Sequence, residues 1–555
     1  MEKLLSKKIS EKEFLLGNEA IVRGAIEAGV SFVTTYPGTP ASEIGDTFFK
    51  IKNQKSLPAQ AGKIKNSFYF EYSTNEKVAL EAAAGASFSG LRSLIAMKNF
   101  GLNVASDFLM PLMSSGVNGG LVIVVADDVG CSSSAQFEED SRPYSYLAYL
   151  PILEPATPQE CKDFTKFAFE FSEKFKIPIM IRTTTRIALA SGIVKFEKIS
   201  EIKRKAKFVK NPLQFSTMPP RVLEMHRELI EKIKKIQKFL EKNKINKIES
   251  GGRSRLGIIT SGISYLYVRE ALKELNLDLS VLKLGFVYPL PEKKIANFIK
   301  KLQKVLVVEE LQPYLEREIK RIAQSTNCKL QIFGKNLIPE VDELRPEIVT
   351  SAIAKFANLK LTVPGAVSVP FSHARRPQFC PGCPYWLVFG AIKRAVRQLA
   401  DPNRIIFGGE IGCYMLAFYP PIDLQDYLYC MGSGAGVAHG ISKATKQKII
   451  TFIGDSSFFH AGIPALINTV FNKSNPLIII LDNQTTAMTG HQPHPGAPTV
   501  PNGIKIENIV SACGVKNLAI IDPIEQEKFI EKIKEFLNKE EVSVIIARRP
   551  CIFVK

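Results

Sequence analysis

The stretch GDSSFFHAGIPALINTVFNKSNPLIIILDN, residues Gly454–Asn483, decides the fold. The apolar run Ile449–Ile453 ends just before it and predicts a buried strand, and apolar residues then repeat at helical spacing. A second apolar run follows Pro476 and predicts another strand. The stretch is therefore a predicted β-α-β unit, whose parallel strands bring Asp455 and Asn483 to the same edge of a sheet.

Oxygen ligands stand at both of these strand ends. The Asp455 carboxylate, the Asn483 amide oxygen and a backbone carbonyl suit Mg²⁺, which proteins usually share with substrate phosphates. The Gly454-Asp455 pair, followed after this spacing by Asn483, resembles the thiamine-diphosphate (ThDP) motif. Gly or Ala often stands in that motif where this chain has Ser456. A generic β-α-β unit whose strands end in acidic residues is the alternative interpretation.

Two flanking segments extend this prediction. The Gly-rich run Tyr427–Gly440 predicts a strand, a turn and a helix, in which Gly432 and Gly434 let backbone N–H groups approach a diphosphate. After Asn483 comes the polar loop QTTAMTGHQPHPGAPT, whose histidines, His491 and His494, are candidates for contact with substrate. Each histidine, like His460, has an ordinary structural role as its alternative.

The N-terminal part of the chain holds a second group of candidates. The loop YPGTP follows a predicted strand and can direct Thr39 into a cleft, although a plain strand-to-helix connection has the same composition. Asn75-Glu76 opens a helix rich in Ala and Gly, where a carboxylate also stabilises the helix dipole. Glu81 competes with Glu76 for a functional role, but the nine-residue offset to Gly85 favours Glu76.

Nine cysteines occur in a chain that shows no export signal, which favours buried, catalytic or metal-bound thiols over disulfides. The pair in CPGCP, Cys380 and Cys383, is typical of a metal or redox site. A thioredoxin-like motif is the competing interpretation, but no apolar strand precedes this one. Iron–sulfur ligation needs four thiolates. Cys413 and Cys551 are the additional candidates, and Cys430 competes for the fourth place.

Composition bounds the class of protein. The chain has 555 residues and a net charge of +19, of which Lys195–Arg255 contributes +11. A solvated, Lys-rich helix explains this segment, and a docking surface for an acidic partner protein is the sharper alternative. Aromatic residues are not interleaved with its charges, so we expect no nucleic-acid binding. No apolar run reaches the ~18–20 residues that span a bilayer, and we expect a cytoplasmic protein.

The repeated strand–helix pattern predicts an α/β fold with three doubly wound parallel-sheet domains of the transketolase-like type that ThDP enzymes have. We expect four segments: a pyrimidine-binding domain at 1–190, a Lys-rich helical connector at 191–255, a domain like the transketolase C-terminal domain at 256–360, and a domain for diphosphate, Mg²⁺ and iron–sulfur at 361–555.

Three motifs together, YPGTP, CPGCP and GDSSFFHAGIPALIN with LDNQTTAMTGHQPHPG, resemble 2-oxoacid:ferredoxin oxidoreductases. Within these the chain is most similar, over its whole length, to the large (alpha) subunit of indolepyruvate ferredoxin oxidoreductases. The resemblance implies that Glu76 hydrogen-bonds the ThDP pyrimidine and that Thr39 contacts the substrate. It further implies two sets of metal ligands: for Mg²⁺ Asp455, Asn483 and a carbonyl near Thr485, and for a [4Fe-4S] cluster Cys380, Cys383, Cys413 and Cys551.

The same resemblance implies oxidative decarboxylation of aryl pyruvates to aryl-acetyl-CoA, with coenzyme A as co-substrate and ferredoxin as electron acceptor. We expect a small beta subunit and a dimer of this chain as partners. Two departures from the family stand out. The motif usually continues CPGCPHR but here reads CPGCPYW, and relatives often carry a C-terminal ferredoxin domain, whereas this sequence ends at Lys555. We therefore expect electrons to leave to a separate protein.

Two other functions remain open from the sequence. A non-oxidative ThDP decarboxylase would need Glu76 and Asp455 but not the four cysteines. A non-catalytic scaffold subunit would keep the fold and lose the cofactor, although Glu76, Asp455 and Asn483 are all intact. Indole, phenyl and hydroxyphenyl side chains of the substrate are not distinguished.

Overall fold

The chain folds into two compact units, Met1–Ser368 and Val369–Lys555. The computed structural model describes residues 2–54, 64, 67–133, 136–200, 204–252, 254–326, 329–359, 377–399, 405–445 and 447–554. The predicted domain limit at residue 361 lies outside the described residues, as does Cys328.

The first unit contains a seven-stranded sheet, a five-stranded sheet and a two-stranded ribbon. Their strands, in chain order, are β1 Lys12–Leu16, β2 Phe32–Thr35, β3 Tyr69–Tyr72, β4 Ser93–Lys98, β5 Leu121–Asp127, β6 Ile152–Leu153, β7 Ile179–Thr184, β8 Ser191–Lys195, β9 Lys247–Glu249, β10 Leu256–Ser261, β11 Ser280–Leu284, β12 Phe286–Tyr288, β13 Lys304–Val308 and β14 Gln331–Phe333.

The seven-stranded sheet has the order β12-β6-β7-β5-β4-β2-β3 and is parallel except at its edge strand β12. Every residue of β5 is buried, as expected for a central strand covered by helices on both faces. The five-stranded sheet, β14-β13-β10-β11-β9, is parallel except at β9. The antiparallel ribbon pairs β1 with β8.

The helices of this unit cover the sheets. They are Gly17–Glu27, Ser42–Asn53, Glu76–Phe88, Asn99–Ser115, Tyr144–Ala148, Pro158–Phe175, Thr185–Leu189, Pro212–Phe215, Arg221–Leu240, Ser264–Glu274, Glu292–Ile299, Tyr314–Ser325 and Pro346–Phe356, with short 3₁₀ turns at Glu2–Leu5 and Val129–Cys131.

A buried ion network joins the two larger sheets of the first unit. Arg142 follows β5 and donates to Glu309 beyond β13 through Nη1–Oε2 at 2.7 Å. Ser261, at the end of β10, donates to Glu154, which follows β6, at 2.5 Å. The edge strand β12 also comes from the predicted third domain but pairs with β6 of the first. The two sheets therefore form one structural unit, and the domain limits within it stay a prediction.

The second unit is built on a six-stranded, wholly parallel sheet of order β16-β15-β17-β18-β20-β19. Its strands are β15 Ile406–Gly409, β16 Tyr427–Leu428, β17 Ile449–Gly454, β18 Leu477–Asp482, β19 Asn517–Ile521 and β20 Ser543–Arg548. Its helices are Tyr385–Arg397, Ser433–Ala444, Asp455–Ser457, Ile463–Phe471, Ile506–Ala512 and Gln526–Leu537, with a π turn at Phe458–Gly462 and 3₁₀ turns at Cys413–Phe418 and Ala487–Thr489.

These sheets confirm the predicted α/β class with three parallel-dominated sheets. The predicted β-α-β unit is present, since β17 and β18 are neighbouring parallel strands whose residues are all buried. Within the described residues, no helix combines the length and the hydropathy that crossing a membrane requires.

Candidate functional site

The carboxyl edge of the six-stranded sheet brings Asp455 and Asn483 close together. β17 ends at Gly454, which pairs in register with Leu481 of β18, so the residues after both strands reach the same edge. Asp455 is 3% exposed and Asn483 is 5% exposed. The backbone N–H of Thr485 donates to Asn483 Oδ1 at 3.2 Å, which folds the loop after β18 back over this edge.

The Asp455 carboxylate is held by three donors. Oδ1 accepts from the N–H of Ser456 at 2.8 Å, and Oδ2 accepts from the N–H of Gln484 at 2.7 Å and from His494 Nε2 at 3.0 Å. The N–H of Gly496 donates to His494 Nδ1 at 3.1 Å, so the proton of a neutral imidazole lies on Nε2. Oδ2 is thereby saturated, and Oδ1 keeps a lone pair for a further ligand.

The donor set at this edge fits a hard cation. Asp455 offers a carboxylate, Asn483 an amide oxygen and Thr485 a backbone carbonyl, which are the ligand types that Mg²⁺ takes in proteins. The neighbouring carboxylate of Asp482 is engaged elsewhere, since it accepts from Arg548 Nε at 2.6 Å. Burial, and after it the Asp455 charge, raise the pKa of Asp482, while Arg548 and His494 lower it.

The predicted Gly-rich turn lies beside this edge. Gly432 has φ +81° and precedes the helix Ser433–Ala444, and a Cβ there would lie 2.7 Å from the backbone of Ala461. A Cβ at Gly434 would lie 2.8 Å from Thr451 Oγ1 of β17. Both positions require glycine for close approach, and the helix begins where a diphosphate could meet its N–H groups.

Glu410 is a buried carboxyl that the sequence did not single out. It follows β15, is 0% exposed, and accepts from the Tyr414 hydroxyl at 2.7 Å through Oε1. Oε2 has no hydrogen-bond partner among the described residues. Burial raises the pKa of Glu410 to about 7, although Tyr414, Ser457 and the Gly432 and Gly434 amides lower it. An acidic residue directly after the apolar strand was the available signal.

Four of the five candidate cysteines lie within electrostatic range of one another. Burial, with the charges of Cys383, Cys551 and Cys380, raises the pKa of Cys413 to about 12. Burial raises the pKa of Cys383 to about 11, with Cys380 and Cys551 contributing. Cys430 is exposed. Among the described residues, no group of three or more His, Cys, Asp or Glu side chains is placed so that it could hold a metal ion. Thiols are the donor type that iron–sulfur clusters take, and a metal charge would stabilise neighbouring thiolates that otherwise repel one another.

Cys551 also connects these thiols to the Asp455 edge. Its backbone N–H donates to the carbonyl of Asn483 at 3.0 Å, and its Sγ lies 3.7 Å from His491 Nε2. Asn483, which follows β18, and Cys551, which bears one of the four thiols, are therefore joined by a backbone hydrogen bond.

The first unit holds the other two predicted residues. Glu76 begins the helix Glu76–Phe88 and is 6% exposed, and the Asn75 side chain caps this helix by accepting from the N–H of Val78 at 2.9 Å. A Cβ at Gly101 would lie 2.6 Å from Glu76 Cγ. Gly101, in the next helix, therefore makes room for the carboxyl group.

Thr39 lies in a loop that neighbouring side chains hold in place. Asn18 Nδ2 donates to the Pro40 carbonyl at 2.7 Å, and Ser133 Oγ lies 3.3 Å from the Thr39 carbonyl oxygen. Gly38 packs on Lys98, the last residue of β4. Lys98 is a further residue that the sequence did not single out, and the signal for it was a lysine at the end of a buried apolar strand.

Comparison with known families matches three models to the chain. They are the thiamine pyrophosphate enzyme C-terminal TPP-binding domain over residues 410–547, the thiamine-diphosphate-binding domain of pyruvate flavodoxin/ferredoxin oxidoreductases over 23–230, and the indolepyruvate oxidoreductase domain over 246–355.

Curated relatives align over nearly the whole chain. Indolepyruvate oxidoreductase subunit IorA of Methanothermobacter marburgensis is 44% identical over 98% of this chain and 87% of its own length. The subunits of the same name from Methanothermobacter thermautotrophicus and Thermococcus kodakarensis are 43% and 41% identical, over 100% and 99% of this chain and 89% and 87% of theirs. A solved 2-oxoglutarate:ferredoxin oxidoreductase from Magnetococcus marinus aligns with a TM-score of 0.49 at 18% identity, over 62% of this chain and 65% of that chain.

Proposed function

The chain belongs to the family of indolepyruvate oxidoreductase subunits, and we propose that it oxidatively decarboxylates aryl pyruvates to aryl-acetyl-CoA while ferredoxin is reduced. The family relation makes it a ThDP-binding oxidoreductase of the 2-oxoacid:ferredoxin type. The aryl side chain of the substrate and the coenzyme A product are the parts that we propose.

The second unit would hold the diphosphate end of ThDP. We assign the Mg²⁺ ligands to the Asp455 carboxylate, the Asn483 amide oxygen and the Thr485 carbonyl, and the diphosphate contacts to the N–H groups after Gly432 and Gly434. Gly454 and Ser456 flank the metal ligand and shape its turn. The two donors on Asp455 Oδ2 support this assignment, because Oδ1, with one donor, keeps a lone pair for a cation.

The first unit would hold the pyrimidine ring. Glu76 is buried at a helix start, where we assign it to hold a proton on a ring nitrogen. Thr39 would hydrogen-bond the substrate. When bound, ThDP supplies a carbon nucleophile and an electron sink for loss of CO₂. The burial of Glu76 against Gly101 keeps water from this carboxyl and fixes its orientation.

The backbone hydrogen bond from Cys551 to Asn483 carries the oxidative part of the proposal, because it holds the residue that bears one of the four thiols beside the Mg²⁺ edge. Cys380, Cys383, Cys413 and Cys551 would bind a [4Fe-4S] cluster, which accepts electrons one at a time. Cys551 is preferred over Cys430 as fourth ligand, since its charge is among the causes that raise the pKa values of Cys383 and Cys413. A cluster of this kind suits the reducing cytoplasm, where we place the protein.

We further propose a small beta subunit, a dimer of this chain and a ferredoxin-like acceptor as partners. The basic segment is one candidate docking surface for that acceptor. Its helix Arg221–Leu240 buries Met225, Leu229, Ile236 and Leu240. Several of its charges already form pairs, such as Arg221 with Glu228 at 2.6 Å. This pairing favours a solvated helix, and a salt-independent rate of ferredoxin reduction would remove the docking role.

Anaerobic assay of this chain with its partner subunit tests the function. We expect CoA-dependent reduction of viologen dye by indolepyruvate or phenylpyruvate, iron in the purified protein and broad absorbance near ~400 nm. Cys551→Ser should lose the absorbance and the dye reduction, whereas Cys430→Ser should keep both. Aldehyde release without CoA, in a protein without iron, would instead establish the non-oxidative decarboxylase.

A further inference from the structure

The carboxylate of a 2-oxoacid needs a charged or hydrogen-bonding partner once it leaves water. Lys98 lies where such a partner is required. It ends β4, and the helix that follows brings Gly101 against Glu76. A Cβ at Gly38, the neighbour of Thr39, would lie 2.8 Å from the Cβ of Lys98. One strand end therefore touches both the Thr39 loop and the turn beside Glu76.

The Lys98 ammonium makes loose contacts among the described residues. Its nearest acceptor there is the Ser133 carbonyl, 3.5 Å from Nζ, and Asp128 Oδ2 lies at 3.7 Å. Both distances exceed the ~2.7–2.9 Å of a charge-assisted hydrogen bond. The side chain is 13% exposed, so a small ligand can reach it. The ammonium is therefore a partly dry cation without a close acceptor in the described part of the chain.

Asp128 does not need Lys98 to satisfy its carboxylate. Oδ1 accepts from the hydroxyls of Ser132 and Thr185, at 3.1 Å and 3.0 Å. Oδ2 accepts from the N–H and the hydroxyl of Ser133, both at 2.9 Å. Four nearer donors thus surround this buried group, and its longer ion pair with Lys98, at 3.7 Å, leaves ammonium protons for a second acceptor.

The electrostatics of Lys98 favour an anion. Burial lowers the pKa of Lys98, and the charges of Asp128 and Cys131, with a hydrogen bond to Asp128, raise it only in part. An approaching carboxylate would offset the cost of burying the ammonium, and the attraction is stronger here than in bulk water.

We propose that Lys98 binds the carboxylate of the 2-oxoacid substrate. This inference rests on the proposed function, because it assigns a residue to that same site. An ammonium on a flexible stem is a point charge that accepts carboxylates in several orientations. Lys98 therefore recognises the 2-oxoacid end that all candidate substrates share, and the aryl group is selected by other residues.

A pair of ligands that differ in charge tests the proposal by calorimetry. The probes are 3-phenylpropanoate and its neutral amide, titrated into the complex of this chain with its partner subunit, loaded with ThDP and Mg²⁺. We expect the wild type to prefer the acid by about 10- to 100-fold, the range of a hydrogen bond to a charged group. Lys98→Met should abolish that preference by lowering the affinity for the acid, while the affinities for the amide and for ThDP stay unchanged. Lys98→Arg should restore part of the preference for the acid.

The control is Lys166→Met. Lys166 lies on the helix Pro158–Phe175 and pairs with Glu197. This substitution should leave the acid preference unchanged. Equal binding of acid and amide by the wild type, or an undiminished acid preference in Lys98→Met, would overturn the proposal. Should Lys98→Met lose ThDP binding, Lys98→Gln replaces it under the same criteria. Failure of the proposed function would appear separately, as absent CoA-dependent dye reduction in a wild type whose acid preference is intact.

Discussion

At the scale of the residue, the Asp455 carboxylate shows how a loop can prepare a metal ligand. His494 arrives from the loop after β18 and donates Nε2–H to Oδ2, while Gly496 fixes the tautomer through Nδ1. Side chains that orient metal ligands in this way usually change metal affinity by about 10- to 100-fold when they are removed. The histidine therefore has a defined role that does not require contact with substrate.

We predict that His494→Phe weakens Mg²⁺-dependent ThDP binding by about 10- to 100-fold. Phenylalanine keeps the ring beside Phe459, 5.7 Å between centroids, but removes the donor. Calorimetric titration of ThDP at fixed Mg²⁺ measures the change. His439→Phe is the control, since His439 bonds Ser474 and not Asp455. An unchanged ThDP affinity in His494→Phe would mean that Asp455 keeps its orientation unaided.

Glu410 predicts a pH dependence of stability in the cofactor-free chain. Burial raises its pKa from 4.5 to about 7, so the folded protein holds a proton between these values that the unfolded chain has lost. Stability from this group is complete below pH 4.5 and falls as pH rises toward 7, by about 3 kcal/mol in total. Glu410→Gln should therefore match the wild type near pH 4.5 and exceed it at pH 8.

Urea denaturation at the two pH values measures this difference. Glu531→Gln, on the exposed face of the helix Gln526–Leu537, is the control and should follow the wild type at both. A Glu410→Gln variant that is no more stable than the wild type at pH 8 would show that Glu410 is stabilised as a carboxylate.

At the scale of the element, the apolar pattern predicted the positions of the long buried strands, because their own sequence specifies them. The strands β17 and β18 appear where their runs predicted them, and so does the helix after Asn75. Within the Lys-rich connector predicted at 191–255, the long helix spans Arg221–Leu240, and its last buried apolar residue is Leu240. Charged residues beyond that point have no apolar face to bury.

Local sequence patterns did not predict the contacts between elements that are distant in the chain. The three-residue strand β12 carries too short a pattern to reveal that it joins the first sheet. The site was predicted where a side chain follows its own strand, as Asp455 and Asn483 do. It was not predicted where a residue acts through a loop that folds back: His494 was a candidate for contact with substrate, and its hydrogen bond to Asp455 was not predicted. Lys98 and Glu410 lie at the ends of their own strands and were not singled out.

At the scale of the whole molecule, the first unit depends on charges buried between its two larger sheets. Arg142 is 1% exposed and donates to Asp140 and Glu309, both at 2.7 Å, and to the Glu310 carbonyl. Glu309 also accepts from two backbone N–H groups of the helix Tyr314–Ser325. Removing the arginine would leave Glu309 without its nearest cation and Asp140 with only Arg182, at 3.5 Å, and breaking a buried pair typically costs about 3–5 kcal/mol.

We therefore predict that Arg142→Met lowers the free energy of unfolding by about 3–5 kcal/mol, measured by urea denaturation. The control is Arg186→Met. Arg186 also links the two sheets, through Glu343, but is 49% exposed, so its removal should cost at most about 1 kcal/mol. Burial raises the pKa of Glu309 and Arg142 lowers it, so without the arginine its charged form is disfavoured further. The loss in Arg142→Met should accordingly be larger at pH 8 than at pH 5.5, and equal losses at both would contradict a role for the buried charge.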